Sequence, residues 1–264
     1  MIKPKFLLAV TVAFLLLLVA CGGEEATAPA GTAEPEAQPT AARVDPATAA
    51  TITGTVKFAG SKPRRNRLRM DADAQCAKLH SAPVYSEQVV VNDNGTLRDV
   101  FVYVKDGLGG ARYPAPSEPV VLDQQGCVYT PHVVGAVANQ EIHILNSDPT
   151  THNIHPVPKN NREWNTSMPP GADKLVRKFP RQELMVPIKC NIHPWMRSYV
   201  GVLDHPFFAV SGADGSFEIT GLPPGEYTLA AWQEKYGTAE QQVTVGAKET
   251  KSVEFQFSPS GAGD

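Results

Sequence analysis

The sequence predicts an all-β protein. After residue 50 most of the chain consists of short runs in which apolar and polar residues alternate, as in strands with one buried face. Glycine (21 residues) and proline (23 residues) are frequent and fall between many of these runs, where they break regular structure. No segment beyond residue 50 combines helical periodicity with helix start and stop signals. We therefore expect a sandwich or barrel of mainly antiparallel strands.

Strands are expected where β-branched and aromatic residues cluster between turn residues. The pairs Asn94-Gly95 and Asp214-Gly215 separate two such clusters each and predict tight hairpin turns. The predicted strands cover residues 52–58, 88–92, 97–105, 119–123, 132–137, 141–145, 174–179, 183–189, 199–203, 207–210, 216–220, 226–232, 241–245 and 250–257.

The composition is that of a globular protein with more than one module. The chain has 264 residues, more than one hydrophobic core usually organises. Hydrophobic residues make up 42% and charged residues 19%, which excludes a wholly disordered chain. The formal net charge is −3, so a basic surface for nucleic acid is not expected.

The N-terminus has the layout of an export signal. Lys3 and Lys5 precede an apolar stretch over residues 6–20, which is too short for a comfortable membrane-spanning helix. The stretch ends in LVAC at residues 18–21, which resembles a bacterial lipobox, the motif whose cysteine becomes the lipidated first residue. The resemblance implies a signal peptide over residues 1–20, lipidation of Cys21 and a lipid anchor on the periplasmic side of a bacterial membrane. Gly22 slightly favours the outer membrane, because inner-membrane retention is associated with aspartate there.

Two alternatives to lipidation stay open: an ordinary cleaved signal with a chance cysteine, and an uncleaved anchor. In each case the body of the protein works outside the cytoplasm, where disulfides are allowed. Residues 22–50 are rich in alanine, proline and acidic residues, and Val44 is their one large aliphatic side chain. We expect residues 21–50 to form a disordered tether and residues 259–264 a short tail.

The cysteines beyond Cys21 are odd in number: Cys76, Cys127 and Cys190. An odd count in an exported protein leaves one thiol unpaired or bound to something else. Our preferred assignment pairs Cys76 with Cys127 and leaves Cys190 free. A bridge between Cys190 and either of the others, or a buried inert thiol at Cys190, stays open.

Cys190 begins the segment with the strongest chemical signal. Residues 190–196 read CNIHPWM and contain the pattern C-x2-H-x2-M, with His193 and Met196 after the cysteine. His152 lies upstream in the run DPTTHNIH. A thiolate, two imidazoles and a thioether are the ligands of a blue-copper centre, with the two histidines and the cysteine in a plane and methionine as a weak axial ligand.

These residues make the stretch from about 127 to 205 resemble a cupredoxin, with the short ligand loop of the amicyanin-like members. The resemblance implies one mononuclear type 1 copper site with His152, Cys190, His193 and Met196 as ligands. It also implies that Asn153, which follows the first histidine, ties the two ligand segments together. The implied fold is a cupredoxin-like Greek-key β-sandwich over residues 51–205, including an N-terminal extension.

The resemblance further implies a route for electrons. In cupredoxins the C-terminal ligand histidine reaches the surface through an apolar patch, so His193 is the expected exit and Trp195 is expected at the rim where a partner docks. The basic stretch over residues 62–69 is either a solvated face or a docking patch for an acidic redox partner.

Three other interpretations of the metal residues stay open. Zinc would need a fourth nitrogen, sulfur or oxygen donor beside two histidines and a cysteine, and His155 could supply it. His155 could equally be a surface residue or hydrogen-bond to the ligands from outside, which is the role we expect. Trp195 and Met196 could be ordinary core residues.

The C-terminal stretch carries a second resemblance. Residues 214–219 (DGSFEI) and 221–229 (GLPPGEYTL) resemble a carboxypeptidase regulatory-like, transthyretin-like module, which implies a small β-sandwich over residues 206–258 without activity of its own. The whole arrangement is similar to exported proteins labelled methylamine-utilisation-like. The run ITGTVKFAG at residues 52–60 suggests an alternative boundary, in which residues 51–105 supply strands to this module and the copper domain is inserted between them.

The function expected from the sequence is single-electron transfer by a lipid-anchored copper protein. Its expected partners are the membrane and a periplasmic or membrane redox protein such as a cytochrome, without nucleic acid. Catalysis is not expected, because a lone type 1 centre has no open coordination position for a substrate. Two other functions stay open: copper binding or delivery without redox turnover, and a metal-free β-sandwich for adhesion or carbohydrate binding.

Overall fold

The computed structural model describes residues 42–259. The predicted signal peptide, the lipidation site Cys21, the first part of the tether and nearly all of the tail lie outside these residues. Within them the protein is almost entirely β-structure, with one short 3₁₀ helix and one short α-helix, so the predicted fold class is confirmed. In the described part, no helix combines the length and the apolar character needed to cross a membrane.

The strands are numbered in chain order. They are β1 (Ala50–Phe58), β2 (Val90–Val91), β3 (Leu97–Arg98), β4 (Phe101–Asp106), β5 (Val120–Gln124), β6 (Tyr129–Thr130), β7 (Val133–Val137), β8 (Ile142–Asn146), β9 (His152–Pro156), β10 (Thr166–Met168), β11 (Leu175–Arg177), β12 (Glu183–Lys189), β13 (Arg197–Leu203), β14 (Phe208–Val210), β15 (Ser216–Leu222), β16 (Gly225–Gln233), β17 (Gly237–Val245) and β18 (Thr250–Phe257). The 3₁₀ helix spans Met70–Ala72 and the α-helix, α1, spans Ala74–Lys78.

The middle of the chain forms the first β-sandwich. One sheet has the strand order β10-β9-β12-β13-β7 and the other has the order β11-β8-β5-β6. Alternating residues of both sheets face a shared core, because successive side chains of a strand point to opposite faces. The core includes Leu122, Tyr129 and Ile144 from the second sheet, and Ile154, Ile188 and Val202 from the first.

The two ends of the chain build the second β-sandwich together. β1 lies between β15 and β18, and it pairs with β18 in parallel from Thr51 opposite Thr250 to Phe58 opposite Phe257. A second sheet has the order β14-β4-β16-β17. Residues of β1 and β4, such as Ile52 and Val102, share one buried core with residues of β15–β18.

This pairing corrects the predicted domain boundaries. We expected residues 51–205 to form one copper domain, but β1 and β4 belong to the C-terminal sandwich, and the first sandwich (residues 120–203) is inserted between β4 and β14, as in the alternative boundary given above. The reason is that the apolar face of β1 can be buried only between the sheets of that module. The folded body also begins earlier than predicted: the Ala42 amide donates to the Arg112 carbonyl at 2.7 Å, and Val44 packs against the C-terminal core.

A small apolar cluster joins the two sandwiches. Gly135 in β7 and Gly201 in β13 let the aromatic rings of the C-terminal module approach closely. A Cβ atom would lie 2.2 Å from the Phe208 ring at Gly135 and 2.6 Å from the Phe101 ring at Gly201. In β12 the register shifts between Glu183 and Val186, and Met185 turns into this cluster.

A segment of the N-terminal extension covers one end of the first sandwich. We call residues 67–85 the cap; it contains the 3₁₀ helix and α1, and its two ends meet where Leu68 N–H donates to the Val84 carbonyl at 2.8 Å. A disulfide between Cys76 in α1 and Cys127, with an S–S distance of 2.03 Å, ties the cap to the sandwich. Met70 and both half-cystines are buried together beneath Leu68 and Trp195.

Candidate metal centre

Two neighbouring strands bring the predicted ligand segments together. His152 is the first residue of β9, and Cys190 follows the last residue of β12. The two strands are antiparallel, with Lys189 opposite His155. The strand β9 is absent from the sequence prediction, because its residues, HNIHP, do not alternate cleanly between apolar and polar.

The loop after β12 turns back on itself and returns as β13. The Met196 amide donates to the His193 carbonyl at 2.9 Å, and the Cys190 amide donates to the Met196 carbonyl at 3.4 Å. These bonds close the loop and direct the Cys190 and His193 side chains into the sandwich end. The Met196 side chain is fully buried in the same core as Cys190.

Three donor atoms converge in the space enclosed by this loop and β9. His152 Nδ1 lies 2.9 Å from His193 Nδ1, and Cys190 Sγ lies 3.9 Å from His193 Nδ1. Each of the three residues is at most 3% exposed, and Cys190 is a free thiol. Imidazole nitrogens and a thiolate sulfur at these separations can bind one metal ion, and the set of donors fits a type 1 copper site.

Asp148 holds the outer nitrogen of His152. Its Oδ2 lies 2.8 Å from His152 Nε2, and its two oxygens accept from the Gly126 and Cys127 amides at 2.7 Å each. Burial raises the pKa of the Asp148 carboxyl, but the bonds from His152 and the two amides outweigh it, so the pKa is lowered. Burial likewise lowers the His152 pKa, but Asp148 and Cys190 outweigh it and raise that pKa to about 8. Nε2 is therefore engaged by the carboxylate, and Nδ1 faces the donor cluster.

Asn153 connects the two ligand segments. Its Oδ1 accepts from the Asn191 amide at 2.7 Å and from the Cys190 thiol at 3.3 Å. Its Nδ2 donates to Asn165 Oδ1 at 2.7 Å, which fixes the orientation of the amide. The asparagine next to the first histidine thus sets the position of the cysteine on the opposite segment.

The surroundings of Cys190 favour its thiolate. Burial raises the pKa of the thiol, but hydrogen bonds from the His152 ring and from the backbones of Asn153, Ile192 and His193 outweigh it, so the pKa is lowered. The His193 amide donates to Cys190 Sγ at 3.3 Å. Because the thiolate is the form that binds metals, this environment prepares the residue for coordination.

The outer edge of His193 is covered, which contradicts the expected exposed exit. His193 is 2% exposed, and its Nε2 lies 3.3 Å from Asp73 Oδ2 and 3.6 Å from Cys76 Sγ, both in the cap. Asp73 is held in place because its Oδ1 also accepts from the Gln75 and Cys76 amides at the start of α1. The cap, which the sequence did not predict, lies where the apolar patch of a cupredoxin was expected.

His155 lies outside the donor cluster. Its Nδ1 is 3.0 Å from Asn191 Oδ1, and its Nε2 is 2.7 Å from Glu163 Oε1 near the surface. It therefore contacts the ligand loop through Asn191 and is not among the residues whose donor atoms converge. Asp148 and Asp73 are functional neighbours that sequence reasoning missed; the spacing D-x3-H at residues 148–152 was the available signal for the first.

Comparison with known families identifies the C-terminal part of the chain. Residues 202–258 match the carboxypeptidase regulatory-like domain. The regulatory-like module of the structure is larger than this match, because β1 and β4 complete its two sheets. No curated protein matches the sequence.

Solved structures similar to part of the chain include a nitrite reductase, a cupredoxin and an amicyanin. A Cu-containing nitrite reductase from Thermus scotoductus SA-01 is 18% identical, with a TM-score of 0.31, over 37% of this chain and 24% of that one. A purple cupredoxin from Nitrosopumilus maritimus is 18% identical, with a TM-score of 0.27, over 31% and 98%. An amicyanin variant in the Cu(I) state is 19% identical, with a TM-score of 0.29, over 34% and 96%. The chain thus spans about a quarter of the nitrite reductase. The family-model match agrees with the resemblance of the C-terminal stretch, and the similar solved structures include a cupredoxin and an amicyanin.

Proposed function

We propose that this protein is a type 1 copper protein that transfers single electrons from the periplasmic side of a bacterial membrane, to which Cys21 anchors it. The observation that carries the proposal is the convergence of His152 Nδ1, His193 Nδ1 and the free Cys190 thiol in a buried space. Met196, which is buried in the same core as Cys190, would supply the fourth donor type. When bound, copper would accept one electron as Cu(II) and release it as Cu(I).

The residues around the donors support this proposal because they hold the donors in position without a metal. Asp148 orients His152, Asp73 contacts His193, and Asn153 positions Cys190. A site fixed in this way changes little in geometry between two oxidation states of an ion, which favours rapid electron exchange. The sulfur and nitrogen donors suit copper in both states.

The proposed lipid anchor at Cys21 would place the copper site at a membrane surface. An anchor there would keep the protein where it could meet a membrane-bound or periplasmic redox protein such as a cytochrome. The oxidised Cys76–Cys127 pair supports an extracytoplasmic location, because disulfides persist in oxidising compartments.

The proposal is tested by the visible spectrum after addition of Cu(II). We expect an intense blue band that ascorbate bleaches, that Cys190→Ala abolishes and that His155→Ala retains. The variants Cys190→Ala and His155→Ala make a matched pair, because Cys190 lies in the donor cluster and His155 lies outside it. Loss of the band in His155→Ala, or its survival in Cys190→Ala, would contradict the ligand assignment.

A second candidate function is copper binding and delivery without redox turnover. It is favoured by the cap, which buries the His193 edge and would retain an ion more strongly than an open site. Reduction by a cytochrome that is faster than metal transfer to a chelator supports electron transfer. The reverse order of rates supports delivery.

A further inference from the structure

With the His193 edge buried, Trp195 is the aromatic residue that connects the donor cluster to the surface. The indole and His193 ring centroids are 5.1 Å apart. Trp195 Nε1 donates to the Cys127 carbonyl at 3.0 Å, which fixes the ring beside the disulfide. The ring is partly exposed, whereas His193 is not. Because electron tunnelling weakens steeply with distance, a fixed ring in contact with His193 offers a short route outward.

The exposed side of Trp195 faces a groove. The groove has a volume of about 450 Å³ and runs between the cap and the ligand loop. Its apolar surface comes from both segments, and its edge carries two arginines. We call it the Trp195 groove; its lining residues are Arg67, Leu68, Arg69, Ala72, Pro194 and Trp195.

The two arginines of the groove have no ion-pair partner in the part of the chain that the structure describes. Residues 62–69 (KPRRNRLR) contain five basic residues and no acidic one. Among residues 42–259, neither Arg67 nor Arg69 has an acidic partner within ion-pair distance, and both are exposed. Two carboxylates, Asp71 and Asp73, lie in the cap near the groove; Asp73 accepts from the Gln75 and Cys76 amides and contacts His193, and within the same residues neither pairs with an arginine. The cationic rim thus has capacity for a negative surface.

Arg65 shows that this stretch is held in place. Its guanidinium donates to the Ser86 and Tyr85 carbonyls at 2.8 and 3.0 Å, and the backbones of Arg67 and Tyr85 form an isolated β-bridge. The disulfide fixes the other end of the cap. The arginines on the groove therefore project from a braced segment, as a docking surface requires.

We propose that the Trp195 groove is the docking surface for a redox protein whose acidic face surrounds its own redox centre, and that electrons cross through Trp195. This inference rests on the proposed function, and it assigns the route and the charge of the partner. The long-range attraction of Arg67 and Arg69 would orient the acidic partner, and the apolar floor would bring the two centres close. In each crossing one electron passes between the partner and the copper site, and no bond forms or breaks.

The first test does not depend on copper. Hexacyanochromate(III), a paramagnetic trianion, is added to isotope-labelled protein, and the broadening of the tryptophan ring resonances is measured. We expect selective broadening of Trp195, with Trp164 and Trp232 little affected, and loss of that selectivity in the double variant Arg67→Gln, Arg69→Gln. The matched control is Lys248→Gln, Lys251→Gln, which removes the same charge from the turn before β18 and from the second residue of β18. Broadening that is unselective, or equal in both double variants, would overturn the docking surface.

The second test uses copper-loaded protein. Hexacyanoferrate(III) takes one electron from the Cu(I) protein and becomes hexacyanoferrate(II). At low salt we expect the arginine variant to react about 5-fold more slowly, with a weaker dependence on salt, because electrostatic steering is screened beyond about 10 Å at 0.1 M. Oxidation by a cationic cobalt(III) complex should not slow. Equal slowing with both oxidants would overturn the assigned groove.

The two tests separate the proposals. If no blue band forms but hexacyanochromate still selects Trp195, the cationic docking surface stands and the electron-transfer function fails. If the band forms normally and the arginine variant behaves like the lysine control in both tests, the docking surface fails and the proposed function stands.

Discussion

Removal of the Asp148 charge should weaken copper binding by one to two orders of magnitude. In Asp148→Asn the hydrogen bond to His152 Nε2, 2.8 Å long and almost fully buried, loses its carboxylate. Replacing the residue that orients a ligand histidine typically reduces metal affinity about 10- to 100-fold, or about 1.4–2.8 kcal/mol. Because the side chain of Asp148 is 3% exposed, solvent cannot replace the lost charge.

The same substitution should lower the stability of the metal-free protein. The two carboxylate oxygens each accept one amide, from Gly126 and Cys127, and the asparagine amide has one oxygen to offer. One buried N–H then lacks an acceptor, at a cost of about 1–3 kcal/mol. The free energy of unfolding from denaturant titration measures this loss separately from copper affinity.

The assay is competition for copper against a chelator of known affinity. It is carried out without denaturant, at a temperature where both proteins are folded. Asp123→Asn is the control, because it is the same change in β5, where the carboxylate accepts from Ser147 Oγ at 2.6 Å and not from a ligand. Nitrogen NMR of the His152 ring should show a changed tautomer or protonation state in Asp148→Asn alone. An affinity within about 2-fold of the parent protein, with a folded variant, would refute the account of how His152 is oriented.

Two further predictions concern the cap and the junction between the sandwiches. The double variant Cys76→Ser, Cys127→Ser should release copper to a chelator several-fold faster while keeping its visible spectrum. The reason is that the disulfide ties the cap over His193. An unchanged release rate would show that the cap does not retain the ion. Glu234→Gln should lower the free energy of unfolding by about 2–4 kcal/mol near pH 5.5, because it breaks a buried pair with His132, 2.8 Å apart. Burial opposes both charges, but Glu234 raises the His132 pKa above 6.5 and His132 lowers the Glu234 pKa below 4.5. The stabilisation by the pair is therefore fully present between these two pH values. It is lost as pH rises through the raised pKa of His132 or falls through the lowered pKa of Glu234. Denaturant titrations in which the parent protein and Glu234→Gln differ equally from pH 3 to pH 9 would contradict this.

The sequence predicted the strands well where alternation is regular. The predicted ranges 183–189 and 250–257 coincide with β12 and β18, and the residues of the donor cluster were identified from the C-x2-H-x2-M pattern and the upstream His152. β9 was missed because the histidines on either side of Asn153-Ile154, and the proline that follows, hide the period of two.

What the sequence could not predict depends on contacts between distant parts of the chain. The parallel pairing of β1 with β18 joins the two ends of the folded body, and no local pattern encodes a partner so far away. The cap was missed because α1 has five residues, too few for a helical period, and because its position depends on the bridge to Cys127. For the same reason the exposed His193 expected from the family resemblance was wrong.

Copper X-ray absorption on the copper-loaded protein and on Cys190→Ser tests the central claim most directly. We predict a copper ion with one short bond to sulfur and two bonds to imidazole nitrogen in the parent protein, and loss of the short sulfur bond in the variant. A first shell of nitrogen and oxygen alone in the parent protein, or a short sulfur bond that persists in Cys190→Ser, would contradict it.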